Sequence, residues 1–167
     1  MTVLRYLLPL LTGLLLAVPA ALASADSVDF ALLDDVQSIG EDAIDPRPAD
    51  GEVLLLQFWA SWCHSCGSLM WDMDDIASRH ERVRYIAVSL DEDADAARAY
   101  IRKHKLYSKY SHRYFVDAGK TLASSLDIET VPSILVVSVA GDVRLRKSGH
   151  LNSSDLRDIV TAIDQTH

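Results

Sequence analysis

Both cysteines of this chain lie in one short stretch, residues 57–71, which reads Gln-Phe-Trp-Ala-Ser-Trp-Cys-His-Ser-Cys-Gly-Ser-Leu-Met-Trp. The apolar run Val53 to Phe58 has the character of a buried strand, and Leu69, Met73, Ile76 and Ala77 recur at the spacing of one helix face. The pair Cys63-His64-Ser65-Cys66 therefore falls where a strand gives way to a helix. A cysteine at a helix N-terminus faces unpaired backbone N–H groups and the positive end of the helix dipole, and both favour thiolate over thiol. On this reading Cys63 is the nucleophile. Two intervening residues let one helical turn bring Cys66 back toward Cys63, so that Cys66 can attack a mixed disulfide and release the partner as the resolving thiol.

A single structural disulfide is the plainer use of two cysteines in an oxidising compartment. A bridge spanning only two residues removes little chain entropy, however, and stabilises a fold weakly compared with one that closes a long loop. The spacing is better explained by redox chemistry, for which paired low-pKa thiols in this arrangement are used.

The stretch Phe58-Trp59-Ala60-Ser61-Trp62-Cys63-His64-Ser65-Cys66 resembles the active-site segment of the thioredoxin superfamily, and the resemblance extends over about residues 51–165. It combines a strand, an aromatic pair, the cysteine pair and a helix, where a bare C-x-x-C would be a weak signal. A second match lies at Thr130-Val131-Pro132, directly before the apolar run Ile134 to Val137. The resemblance implies that the Val131–Pro132 bond is cis, that Pro132 packs against the cysteine pair, and that the Val131 backbone is free to pair with an extended substrate. Without the resemblance, Pro132 is simply a proline leading a strand, a place where no ladder hydrogen bond is lost. Trp62, beside Cys63, is expected to be partly exposed and to contact substrate, whereas Trp59 is expected in the core or site wall.

The N-terminus carries Arg5, an apolar region from Leu7 to Val18, and then Ala20-Ala21-Leu22-Ala23-Ser24-Ala25. That is the layout of a secretory signal peptide over residues 1–23, with cleavage after 23 or 25, and it implies an exported protein, the bacterial periplasm being the expected location. Pro9, Gly13 and Pro19 interrupt the run, which argues against a retained anchor; the membrane enters only if the leader is kept. Loss of residues 1–23 removes one basic residue from 16 and none of the 24 acids, so the mature chain remains strongly acidic. This balance argues against nucleic acid or anionic lipid as a partner.

Residues 24–50 are acidic and proline-containing; only Val28 to Leu33 is apolar enough to suggest an early strand, and the main domain is expected over 51–167. Val83 to Leu90 reads as a second buried strand. Asp91-Glu92-Asp93 is expected to be a solvated cap of a helix that buries Ala97, Tyr100 and Ile101. The basic and aromatic run Arg102 to Arg113 reads as a helix end passing into a loop. Tyr114-Phe115-Val116 suggests a short strand and Lys120 to Leu126 a short helix. Ala140-Gly141-Asp142 turns a hairpin, and Asn152 or Ser153 caps a last helix with Leu156, Ile159, Val160 and Ile163 on its buried stripe. The order β-α-β-α-β-α-β-β-α gives an α/β fold with a thioredoxin-like mixed sheet flanked by helices on both faces.

The acidic segment at 91–93 and the additional strand and helix before Pro132 resemble the TlpA/ResA-like branch of exported thiol-disulfide oxidoreductases. That branch implies exported protein thiols or disulfides as substrates and a redox partner protein, with no cofactor. Three departures bear on the chemistry. Gln57 stands where thioredoxin has a buried acid, Trp71 stands where it has a proline, and His64-Ser65 lacks the proline of most reducing members. A protonated His64 would stabilise the Cys63 thiolate and make the pair more oxidising; otherwise it is an exposed loop histidine of little effect. His150, after Gly149, could lie in a loop near the cysteines but is read as a surface residue, and His80, His104 and His112 carry no site signal.

Two other functions remain open on the residues alone. Cys63, Cys66 and a histidine could form a Cu(I) carrier, although no third ligand has recognisable spacing and no metal is expected. A non-catalytic binding domain could also retain this fold.

Overall fold

The computed structural model describes residues 26–40, 44–106 and 113–166. The leader and the Tyr107, Lys109, Tyr110 and His112 part of the basic run lie outside the described residues. The chain forms β1 (Gln37–Ser38), β2 (Val53–Trp59), α1 (Cys66–Arg79), β3 (Val83–Ser89), α2 (Ala94–Lys103), β4 (Tyr114–Val116), α3 (Thr121–Ser125), β5 (Ser133–Val137), β6 (Val143–Ser148) and α4 (Ser153–Gln165). The strands make one sheet in the order β1-β4-β3-β2-β5-β6.

β2 lies inside this sheet because all seven of its residues are apolar or can be buried on both faces. It pairs parallel with β3, Leu55 opposite Tyr85 and Trp59 opposite Ser89, and the crossover between them is α1. On its other side it pairs antiparallel with β5, Phe58 opposite Ser133. The C-terminal end of β2 and the N-terminal end of β5 therefore meet at the same edge of the sheet. This register brings the segment after Trp59 beside Pro132.

Alternation along β2 divides the core in two. Val53, Leu55 and Trp59 join Met70 and Met73 of α1, Ala97 and Ile101 of α2, and Ile159 and Ile163 of α4 on one face. Leu54, Leu56 and Phe58 meet Leu33, Leu122 and Leu126 on the other. Helices cover both faces, as the element order implies. The last helix starts as anticipated: the Asn152 side chain accepts from the Ser154 and Asp155 N–H groups, and the Asp155 carboxylate accepts the Asn152 N–H.

The early strand expected over Val28 to Leu33 is corrected. Phe30–Asp35 is a 3-10 helix, started by the Asp29 carboxylate accepting the Ala31 N–H at 3.0 Å, and it lays Leu33 into the second core. The edge strand is instead Gln37–Ser38, antiparallel to β4. An aspartate that can satisfy a nearby backbone N–H gives the chain a local turn in place of a ladder.

Candidate active site

β2 ends at Trp59, whose carbonyl accepts the Leu90 N–H at 2.8 Å. The chain then turns, the Cys63 N–H donating to the Ala60 carbonyl at 3.1 Å, and α1 begins at Cys66. Cys63 and Cys66 are joined by a disulfide, with Cα atoms 5.5 Å apart. Cys63 is 6% exposed and Cys66 0%, so Cys63 is the outer partner of the pair. Cys63 lies in the turn three residues ahead of the helix and Cys66 is the helix's first residue, so the pair sits at the strand-to-helix junction. The first turn of α1 contains no acidic residue and the Ser65 side chain does not cap it, so neither a carboxylate of that turn nor the capping side chain offsets the positive end of the dipole beside the pair.

Asp91 fixes the turn from below. Its buried carboxylate accepts the Ser61 N–H at 2.9 Å, the Ser61 hydroxyl at 2.7 Å and the Ser89 hydroxyl at 2.6 Å. The residue expected to be a solvated cap thus ties the loop before Cys63 to the end of β3, while Asp93 alone caps α2 by accepting the Asp95 N–H. The sequence signal was present but ambiguous, because adjacent acids before a helix are ordinarily exposed.

A second support comes from α2. The Tyr100 hydroxyl donates to the Cys63 carbonyl at 2.8 Å and lies against Gly67, so one side chain ties α2 to the cysteine pair and to the residue that follows it. Burial raises the Tyr100 phenol above its ordinary range, which keeps it a neutral donor. Its ring packs between Trp59, with centroids 5.2 Å apart, and His104, at 4.1 Å. A Cβ on Gly67 would lie 2.9 Å from His104 Nδ1 and 3.1 Å from the Tyr100 hydroxyl, so only glycine admits this packing at the first turn of α1. His104, which carried no signal in the sequence, is thus brought to the rear of the site.

The opposite side is formed by the Val131–Pro132 segment, whose peptide bond is cis. The Pro132 carbonyl accepts the Gly149 N–H at 2.9 Å, which places His150 next to it. Pro132, His150, Ser65 and Asp72 line a small cleft beside the helix start, so His150 is a surface residue located at the site. Val131 is half-buried, His64 is exposed, and Trp62 is 65% exposed, the most exposed large apolar side chain among the described residues. The geometry therefore gathers Cys63, Cys66, Pro132, Val131, Trp62 and His64 around one end of the sheet.

Gln57 is fully buried, and its Oε1 accepts the Tyr85 hydroxyl at 2.7 Å. On the same face Asp74 of α1 bonds Arg113 at 3.2 Å; burial pushes its carboxyl up to about 6, against the opposing pull of that guanidinium. Among the described residues no group of three or more His, Cys, Asp or Glu side chains forms that could hold a metal ion.

A family model described as thioredoxin-like matches residues 51–143. The thiol:disulfide interchange protein HelX of Rhodobacter capsulatus is 26% identical over 147 residues, which is 87% of this chain and 76% of HelX. SUPPRESSOR OF QUENCHING 1 of Arabidopsis thaliana is 25% identical over 123 residues, 70% of this chain but only 11% of that much longer protein. Relatives named thiol-disulfide oxidoreductase ResA are found as well. A solved structure described as a putative thiol:disulfide interchange protein DsbE from Chlorobium tepidum superposes with a TM-score of 0.62 at 20% identity, covering 70% of this chain and 80% of that one. With its cysteine pair at the junction of β2 and α1 and this set of relatives, the chain belongs to the thioredoxin-like family, in the TlpA/ResA-like branch that includes thiol-disulfide oxidoreductases.

Proposed function

We propose that the protein is an exported thiol:disulfide oxidoreductase that exchanges disulfides with other exported proteins. The observation that carries this reading is the Cys63–Cys66 disulfide at the start of α1, with one sulfur on the outer side and its partner buried behind it.

In the reducing direction the Cys63 thiolate attacks one sulfur of a substrate disulfide. The substrate S–S bond breaks, one substrate sulfur leaves as thiolate, and a mixed disulfide forms on Cys63. Cys66 loses its proton and attacks Cys63, expelling the second substrate sulfur as the Cys63–Cys66 bond forms. The substrate gains two electrons and the protein loses them; the reverse sequence oxidises a dithiol. Trp62 and the Val131 backbone hold the substrate segment, Pro132 shapes the wall opposite the pair, and His64 stabilises the thiolate when protonated. Arg5, the apolar run from Leu7 and the small residues up to Ala25 support export. A redox partner protein resets the pair after each turnover.

The test is a Cys66→Ser variant. It should accumulate mixed disulfides with cellular proteins through Cys63, separable on non-reducing gels and released by dithiothreitol. A variant that captures nothing, while the native protein binds Cu(I) in fixed ratio through its thiols, would replace this reading with a metal carrier.

A further inference from the structure

Helix α1 carries a stripe that begins beside the cysteine pair and continues away from it: Ser65, Ser68, Asp72, Ile76 and Arg79, spaced three or four residues apart so that they share one face. The upper part of this stripe walls the small cleft with Pro132 and His150. The lower part walls a larger cleft of about 400 Å³ against α4, floored by Ile76, Leu156 and Val160. Asp72 lines both clefts, which makes them one track that starts at the site and descends between α1 and α4. The rim of the lower cleft carries Arg157 and the Arg79–Asp75 ion pair, so its charge is largely balanced and its floor is aliphatic.

We infer that this track binds an extended segment of the substrate polypeptide, with an apolar side chain of that segment seated between α1 and α4. The inference rests on the oxidoreductase reading and adds to it a sequence preference. Continuity with the cysteine site favours a substrate over a second copy of the chain, because an occupant of the lower cleft that is tethered at Cys63 must follow this track. From Ser65 to Ile76 the helix rises about 16 Å at about 1.5 Å per residue. An extended chain covers that distance in about five residues at about 3.3 Å each. The preferred substrates are therefore polypeptides with a large aliphatic or aromatic residue about five positions from the reactive cysteine. The exposed Asp72, about halfway along, disfavours an acidic residue between the two.

The test uses the reduced full-length protein and short synthetic peptides, each carrying one cysteine as a mixed disulfide with glutathione. The rest of each peptide is Gly and Ser, with a single Leu placed two or five positions to either side of the cysteine. A Leu five positions away on one side should raise kcat/KM about tenfold over the peptide with no Leu, the order expected for partial burial of one aliphatic side chain. A Leu two positions away should change it less than twofold. The tenfold ratio should collapse toward unity in Val160→Glu, and because it compares two peptides on one enzyme, a general loss of activity cancels. Should that variant not fold, a benzophenone side chain replacing the Leu must photo-crosslink to α1 or α4 of the native protein. Equal rates for all peptides, an advantage that survives Val160→Glu, or crosslinking elsewhere overturns the inference. Failure to exchange with glutathione disulfide itself would instead overturn the oxidoreductase reading.

Discussion

Replacing Asp74 by Asn should reverse part of the protein's dependence on pH. Asp74 sits on the buried face of α1, the helix that begins at Cys66, and burial lifts its carboxyl from 3.8 to about 6 even with Arg113 beside it. Its folded-state pKa is thus above its unfolded value, so between about pH 4 and 6 the folded chain holds this proton more firmly than the unfolded one. The associated stability is complete below pH 4 and is lost as pH rises through about 6. A shift of roughly two pKa units corresponds to at most about 3 kcal/mol, at about 1.4 kcal/mol per unit, and taken as an upper bound this gives an expected effect of about 1–2 kcal/mol. The asparagine variant keeps the shape and loses the titration. Urea unfolding of both proteins from pH 4 to 8 should show the stability of the variant, relative to native, increasing by about 1–2 kcal/mol across that window. The difference cancels the contributions of the other carboxylates. A flat difference, or one that falls as pH rises, would refute a buried carboxyl held above its ordinary range.

Gly67→Ala should drive a methyl into His104 and the Tyr100 hydroxyl, lowering stability by about 1–3 kcal/mol in denaturant melts and slowing disulfide exchange, while the same change at the open Gly51 should affect stability without slowing exchange. Tyr100→Phe removes the donor to the Cys63 carbonyl without altering the ring stack; a stability loss of about 1 kcal/mol, with a change in the pH profile of Cys63 alkylation, is the expected result. Asp91→Ala leaves the Ser61 N–H and two hydroxyls without their acceptor and should cost about 2–4 kcal/mol; unchanged melting and unchanged exchange rates would show that the loop before Cys63 does not depend on this carboxylate.

The sequence determined the parts of this protein that depend on neighbours in the chain. Seven residues of β2 that can be buried on both faces, the helical spacing of Leu69, Met73 and Ile76, and the Asn152 and Asp155 caps are local patterns, and each formed as its residues dictate. The cysteine pair was legible for the same reason, since its meaning lies in four consecutive residues and the elements that flank them. Only the tertiary structure decided the support of the site. Asp91 reaches back 30 residues to Ser61, and Tyr100 reaches 37 residues to Cys63. Asp74 meets Arg113 from 39 residues away. A carboxylate or phenol looks the same in sequence whether it faces water or a buried N–H, because the cost of burying it, and the partner that offsets that cost, exist only once the sheet has brought distant strands and helices together.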